Sequence, residues 1–298
     1  MVKHCRVFGV VALAALASTA CVVNLDGQGV VVREEKRFPV SGDLDLTLAT
    51  FDGSIRVRSW DRNEVLVEME KRAQSQPEAE ALDVQFTQDG NRIRVDARSP
   101  RVSREGFNIG RFSSPSVSLI VTVPQKLALH AETGDGSIAV ERLSGKIELR
   151  SGDGSVRGEE IAGDLTVNTG DGSVSLVGAS GRAVLDTGDG SIDARGRFDG
   201  LQLSSGDGSV SVEADQGSAM TEDWNVTTGD GSIVFRVPPG FNAEIDADSG
   251  DGTVRAEGGA LPTTRGEDDH ESMRGRLGTG GRTVRLRSGD GSIRLMSR

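Results

Sequence analysis

Gly134 to Ser151 reads GDGSIAVERLSGKIELRS, and close copies of this segment follow it along the chain. The tetrapeptide GDGS, or its variant GDGT, occurs eight times, and the first five copies are spaced by 18 residues each. The aspartates of the eight copies are Asp135, Asp153, Asp171, Asp189, Asp207, Asp230, Asp251 and Asp290. A fixed period of this kind indicates a structure that stacks one small unit on itself.

Each repeat contains two short alternating segments separated by turns. Ile138 and Val140 follow the GDGS turn, and Ile147 and Leu149 follow a second turn at 143–145. Apolar residues spaced by two are typical of strands. Glycine permits positive φ and aspartate bonds nearby backbone N–H groups, so GDG suits a sharp corner. The sequence therefore predicts an all-β fold, a single-stranded parallel β-solenoid (β-helix) with about 18 residues per turn and GDGS corners.

In such a solenoid, equivalent residues of successive turns form columns. The eight aspartates are expected to form an outer column with a spacing of about 4.8 Å. A serine or threonine precedes each corner, and these hydroxyls are expected to hydrogen-bond along the stack. Neighbouring carboxylates repel by roughly 0.8 kcal/mol in water, whereas each buried apolar side chain contributes about 1.5–3 kcal/mol. The acidic column is therefore tolerable without a metal ion.

Composition agrees with a corner-rich solenoid and restricts the partners. The chain has 298 residues, of which 40 are glycine, and only 4% are aromatic. Its formal net charge is −11. A net negative charge argues against nucleic acid and anionic lipid as partners.

The N-terminus has the pattern of an export signal. Lys3 and Arg6 precede an apolar run over 7–17, which is too short to span a bilayer. The following Ser-Thr-Ala-Cys ends at Cys21 and is similar to a bacterial lipoprotein processing site. We predict a lipoprotein-type signal peptide at 1–20 and acylation of Cys21. In a Gram-negative cell, the expected location is the outer membrane. Ordinary cleavage after Ala17 is the alternative, and it would give a periplasmic or secreted soluble protein.

The remaining chain divides by its repeat pattern. Residues 21–37 are expected to be a tether, and 38–132 a degenerate N-terminal β-repeat and capping region. Residues 133–298 are expected to form the regular GDGS solenoid, with insertions at 215–221 and 257–281. Arg294 and Arg298, at the last strand, are expected to protect an open edge from pairing with other chains.

Three features together resemble a known family. Phe38-Pro39-Val40 precedes the first repeat, a strand closes at Val123-Pro124, and each GDGS turn is followed by alternating apolar residues. Over residues 35–298 this arrangement resembles the bacterial putative-adhesin family known as domain of unknown function 4097. The resemblance implies a single-stranded β-helix on an envelope-associated protein, and it supplies no catalytic residues.

Calcium binding and catalysis are the alternatives to a binding function. Calcium-binding β-rolls also use 18 residues per turn, but their motif places Asp two residues before the apolar position. Asp135 lies three residues before Ile138, so a turn-forming role is favoured for the eight aspartates, and no metal or other cofactor is expected. A β-helical polysaccharide-acting enzyme would need unlike groups that converge, whereas the aspartates are equivalent. His130 and His270 are expected to be outward and solvated.

We therefore expect a non-catalytic protein that is anchored to the cell envelope. Its long faces would serve as a scaffold or adhesin-like surface for an envelope polymer or protein. The charged insertion at 257–281 is expected to take part in capturing that partner.

Overall fold

The computed structural model describes residues 29–98, 115–258 and 271–297, together with the strand paths of 20–25 and 263–264. The signal peptide predicted at 1–20 therefore lies outside the described residues except for Ala20. Residues 259–262 and 265–270 of the insertion at 257–281, including His270, also lie outside them, as does Arg298.

The described chain contains 24 strands and one short helix. The N-terminal elements are β1 (Ala20–Leu25), β2 (Gly29–Pro39), β3 (Leu44–Thr50), β4 (Ile55–Trp60), β5 (Glu64–Ala73), α1 (Gln76–Glu80), β6 (Val84–Asp89), β7 (Arg92–Ala97) and β8 (Ser116–Pro124). The central strands are β9 (Lys126–Thr133), β10 (Ile138–Glu141), β11 (Ser144–Ser151), β12 (Val156–Glu159), β13 (Ala162–Thr169), β14 (Val174–Thr187), β15 (Ile192–Ser205) and β16 (Val210–Ala214). The C-terminal strands are β17 (Trp224–Thr228), β18 (Ile233–Val237), β19 (Ala243–Ser249), β20 (Val254–Glu257), β21 (Thr263–Thr264), β22 (Ser272–Leu277), β23 (Thr283–Ser288) and β24 (Ile293–Ser297).

The strands stack into two long faces, and most neighbours are parallel. The first face has the order β6-β7-β3-β9-β11-β13-β14-β15-β17-β23-β19-β22-β21. The second has the order β1-β2-β5-β8-β4-β10-β12-β14-β15-β16-β18-β24-β20. Strands β14 and β15 run through both faces. The predicted all-β class is confirmed, and the fold is a β-solenoid-like stack.

The register in the central stack follows the sequence repeat. Ile138 pairs with Val156, Val156 with Val174, and Val174 with Ile192. Alternate residues of these strands point inward and are buried, and the buried side chains of both faces join one core cluster. Burial of this column in the core is the main stabilising contribution.

Aromatic residues fill the core where the repeat is irregular. The spacing between aspartates widens to 23 residues from Asp207 to Asp230, and Trp224 is fully buried there. Its ring centroid lies 6.4 Å from that of Phe198, 6.2 Å from Phe235 and 5.4 Å from Phe241. The residues between β16 and β17 form turns outside the sheet, and the wider interior beneath them is occupied by these large side chains.

The order of coils in space differs from their order in the chain at both ends. Strands β23 and β24 lie between β17–β18 and β19–β20, although they follow β19–β20 in the sequence. Likewise, β3 and β4 lie between β7–β8 and β9–β10. The expectation that Arg294 protects an open edge is therefore wrong, because β24 is paired on both sides.

The predicted tether at 21–37 is instead part of the sheet. Strand β2 pairs antiparallel with β5, and β1 pairs antiparallel with β2. The first half of β2 packs on α1 rather than in the main core, with Val32 beside Ala73 and Ala79, whereas Phe38 near its end packs against the main core. Lys71 is buried there and forms a 2.8 Å ion pair with Glu34. A charged residue, Glu34, thus stands in β2 where the alternation of a strand would place an apolar one, which is why the sequence did not indicate this strand.

A chain that stops after Arg282 tests the interior position of the β23–β24 coil. Four buried apolar residues would be lost (Val284, Leu286, Ile293 and Leu295), a gross loss of roughly 6–12 kcal/mol as an upper estimate. We expect amides of β19 and β20 to lose protection from hydrogen exchange, because these strands would lose the partners that join them to the stack. A chain that stops after Gly240 lacks β19 to β24 and is the control, because its hydrogen exchange shows whether the solenoid up to β18 stays folded without them. Retained protection of β19 in the first truncation would contradict the prediction.

Candidate functional site

The corner that carries each GDG motif is held by a buried hydroxyl. The Ser151 Oγ donates a 2.9 Å hydrogen bond to the carbonyl of Gly136 in the preceding coil, and it accepts a 3.0 Å bond from the N–H of Gly154. The same donation to a glycine carbonyl of a neighbouring coil recurs at Thr133, Thr169, Thr187, Ser205, Thr228, Ser249 and Ser288. All eight hydroxyl residues are buried. The hydroxyl column predicted from the sequence thus binds backbone carbonyls.

The glycines of the motif are required by close approach and not by positive φ. A Cβ on Gly152 would lie 2.6 Å from the carbonyl oxygen of Gly134, and one on Gly188 would lie 2.7 Å from that of Gly170. None of the motif glycines in the eight copies has a positive φ. Left-handed glycines do occur at the second turn of three successive repeats, at Gly145, Gly163 and Gly181 with φ 125°, 111° and 107°. The expectation that GDG uses the conformational freedom of glycine is therefore wrong.

The eight motif aspartates are brought to one edge, and all are exposed. Asp290 lies between Asp230 and Asp251 in this column, because the coil order is exchanged. No side-chain hydrogen bond is made by these aspartates in the part of the chain that the structure describes. That part also contains no group of three or more His, Cys, Asp or Glu arranged to hold a metal ion. The corner is built by the hydroxyl and the glycines, which leaves the carboxylates directed to solvent.

A charged cleft lies near the C-terminal end of the first face. It has a volume of about 720 Å³ and is lined by Glu244, Ile245, Asp246, Arg274, Gly275, Arg276, Thr283 and Arg285. Its charges are paired: Arg276 lies 2.8 Å from Glu244, and Arg285 lies 3.1 Å from Asp223. Arg287 lies 2.7 Å from the Asp246 carboxylate. The mutual pairing makes this cleft a structural ion-pair network.

Two carboxyl groups of this network have altered acidity. Partial burial acts to raise the pKa of Asp246, but Arg287 and Arg274 outweigh it and hold that pKa below its usual value. The backbone N–H of Thr283 donates to Asp223 and, with Arg285, lowers the pKa of Asp223. Both carboxylates are therefore stabilised in their charged form.

The outward residues at the middle of the first face form a strip of a different character. This central strip consists of eight side chains on four neighbouring strands: Thr166 and Asn168 on β13, Val184 and Asp186 on β14, Gln202 and Ser204 on β15, and Asn225 and Thr227 on β17. Asp186 alone among these eight is charged. The sequence repeat did not reveal the strip, because its members vary from coil to coil.

The second face is more highly charged over the same coils. Its outward residues are Ser175 and Val177 on β14, Asp193 and Arg195 on β15, Ser211 and Glu213 on β16, and Val234 and Arg236 on β18. Half of these eight carry a charge. The two faces therefore offer different chemistry to a partner.

The predicted residues outside the solenoid corners are placed as follows. His130 is on the outward side of β9, and its ring nitrogens lie 3.6 Å from carboxylate oxygens of Glu132 and Glu148. Cys21 is in β1, where it pairs in register with Arg33. Within the described ranges, no helix has the length and apolar character needed to cross a membrane.

The sequence profile of the family described as Toastrack DUF4097 matches residues 43–296. The chain belongs to this family. No curated relative matches it.

The solved structures that are similar to the chain include three from different bacteria. They are a putative adhesin of Bacteroides fragilis (12% identity, TM-score 0.41, covering 89% of this chain and 97% of that one), a putative lipid binding protein of Parabacteroides distasonis (12%, 0.36, 88% and 96%) and a putative cell adhesion protein of Clostridium sporogenes (9%, 0.28, 89% and 100%).

Substitution of Thr169 by valine tests the hydroxyl column. The threonine donates to the carbonyls of Gly152 and Gly154 at 3.2 and 3.0 Å, and the variant would leave a buried carbonyl without its partner. We expect a loss of about 1–3 kcal/mol in the free energy of unfolding, measured by urea denaturation. Thr166→Val, at an exposed position of the same strand, is the matched control and should change little. Equal effects of the two variants would count against the role of the hydroxyl.

Acid titration tests the ion pair at Asp246. Its pKa is lowered in the folded protein, so its contribution is present above the unfolded value of about 3.9 and is lost as pH falls through that value towards the folded pKa. Asp246→Asn should reduce stability at pH 7 by up to about 1 kcal/mol, as for a partly exposed pair, and the difference should shrink progressively as pH falls below about 3.9. The exposed Asp248 on the same strand provides the control variant Asp248→Asn. A difference between parent and Asp246→Asn that persists unchanged at low pH would refute the assignment.

Proposed function

We propose that this protein is an exported, non-catalytic scaffold that is anchored at the cell envelope through Cys21 and binds an envelope polymer or protein. The observation that carries the proposal is the long, continuous surface of stacked strands. Thirteen strands follow one another on the first face, which corresponds to a length of about 58 Å. Such a surface suits an extended partner better than a small molecule.

The unit that builds this surface in our proposal is the 18-residue coil with a GDGS corner. Residues 133–298 form the regular part of the solenoid, and 38–132 cover its N-terminal end. The repeated positions at the corners are used for stacking through buried hydroxyls and glycine contacts. Partner recognition is therefore assigned to the outward side chains of the strands, which vary between coils.

The anchor in this proposal is a lipid on Cys21, with residues 1–20 removed as a signal peptide. Loss of Lys3 and Arg6 would change the net charge from −11 to −13. A protein of this charge has little electrostatic attraction to anionic lipid, so acyl chains would supply the attachment. Because β1 begins at Ala20 and pairs with β2, the anchor would hold the solenoid close to the membrane. In a Gram-negative cell, the proposed location of the anchored protein is the outer membrane.

Metabolic labelling with a palmitate analogue tests the anchor. In a bacterial host, the parent protein should carry the label and remain with the membrane fraction, whereas Cys21→Ser should lose the label and become soluble. Cys5→Ser lies within the predicted signal peptide and is the matched control, which should behave as the parent. A labelled or membrane-retained Cys21→Ser protein would refute the anchor.

The binding function is tested separately by capture from disrupted cell envelopes. The immobilised Cys21→Ser protein should retain an envelope polymer or protein that survives a wash and that heat-unfolded protein does not retain. Recovery of nothing above the unfolded control would overturn the proposed function, whatever the outcome of labelling.

A further inference from the structure

The distribution of charge distinguishes the central strip from the surfaces around it. Strand β11 lies beside β13 at one end of the strip, and its outward residues in register with the strip are Glu148 and Arg150. Strand β23 lies beside β17 at the other end, and its corresponding residues are Arg285 and Arg287. Charged residues make up 27% of the whole chain, whereas Asp186 alone is charged among the eight members of the strip. Its carboxylate accepts a 3.2 Å hydrogen bond from the amide of Asn168. The strip is thus a nearly neutral polar area between two charged ends.

The side chains of the strip form two parallel columns along the stack. Thr166, Val184, Gln202 and Asn225 pair in register in one column, and Asn168, Asp186, Ser204 and Thr227 pair in the other. Neighbouring members of a column are separated by about 4.8 Å, and the two columns by about 6.8 Å. Amides and hydroxyls both donate and accept hydrogen bonds. Six of the eight side chains, all except Val184 and Asp186, therefore present groups that both donate and accept.

Several of these groups have no partner within the described part of the protein. The side chains of Gln202, Ser204 and Asn225 are half-buried and make no hydrogen bond to other described side chains or backbone groups. Packing restricts their conformations while their polar ends remain available to a ligand. Such preorganisation reduces the entropy that binding must overcome.

A packed loop borders one long side of the strip. Glu222, from the turn region between β16 and β17, forms a 2.8 Å ion pair with Arg182. The same carboxylate approaches Gly200 so closely that a Cβ there would collide with it. Thr221 donates a 3.0 Å hydrogen bond to the carbonyl of Asp199 and holds the loop against the sheet. The loop separates the strip from the adjacent corner and leaves it open along the stacking direction.

We propose that the central strip binds an extended, uncharged glycan chain that runs along the solenoid across β13, β14, β15 and β17. Sugar hydroxyls are neutral groups that donate and accept, and they match the amides and hydroxyls of the strip in both respects. An anionic polymer would meet Asp186 and the negative net charge of the protein. This inference rests on the proposed binding function and specifies the chemical class of its partner.

Co-sedimentation with insoluble polysaccharides tests this inference. The full chain with Cys21→Ser should sediment with chitin or cellulose, which are neutral and extended, and not with cross-linked polygalacturonate, which is anionic. Replacement of Gln202 by glutamate and Asn225 by aspartate preserves shape and adds two charges to the strip. This double variant should bind the neutral polymer about tenfold more weakly, as expected for the loss of two hydrogen bonds.

A matched control adds the same two charges to the opposite face. Ser175→Asp with Val177→Asp alters two outward positions of β14 on the second face, and this variant should bind as the parent does. Thermal unfolding identifies any variant that fails to fold, in which case Gln202→Ala with Asn225→Ala replaces it and should also bind more weakly. Equal losses in the strip and control variants, preference for polygalacturonate, or no sedimentation of the parent with either neutral polymer would each overturn the glycan assignment.

The outcome also separates this inference from the proposed function. Capture of an envelope protein or an anionic polymer, without binding to neutral glycan, would leave the proposed function standing and refute the role of the strip. Failure to capture anything from disrupted envelopes would refute the proposed function as well.

Discussion

The structure depends on the close approach of backbone at the GDG corner. A carbonyl of one coil occupies the space that a side chain would need on the glycine of the next coil. At the same corner, a buried hydroxyl donates to a glycine carbonyl of the neighbouring coil. Buried polar groups need partners, and here the partner is supplied by the adjacent repeat. The corner therefore constrains both the separation of the coils and their register, and the strands on both faces follow from it.

This constraint divides the residues of a coil into two groups. The inward apolar residues and the corner residues repeat because each must match its counterpart above and below. The outward residues of the strands are free from this requirement, and they change from Glu148 to Thr166, Val184 and Gln202 along one column. Residues that repeat from coil to coil are thus mainly those that stacking requires, while residues that vary lie on the surface that is available to a partner. The acidic corner column is the exception, since Asp135 and its equivalents recur although they are exposed and form no metal site in the described chain.

Much of the architecture could be predicted from the sequence, because period and alternation report directly on stacking and burial. The coil order could not, because the segments 243–257 and 283–297 carry nearly the same pattern, and that pattern does not indicate which of them pairs with β17–β18. The strand β2 was also missed, since Glu34 and Lys36 interrupt the apolar alternation between Val32 and Phe38 on its inner side. The central strip was hidden for a related reason: it consists of residues from four coils that are neighbours only after stacking.

The exchanged order of the C-terminal coils has a consequence for the assembly of the chain. Residues 243–257 emerge from the ribosome or translocon before 283–297, yet the later segment occupies the inner layer. A simple vectorial mechanism, in which each coil adds to the growing end as it appears, cannot produce this arrangement. The earlier segment must remain undocked, or dock and then withdraw, until the later one arrives. Maturation of this end is therefore delayed relative to the central solenoid, and a protease would have a period in which to reach it.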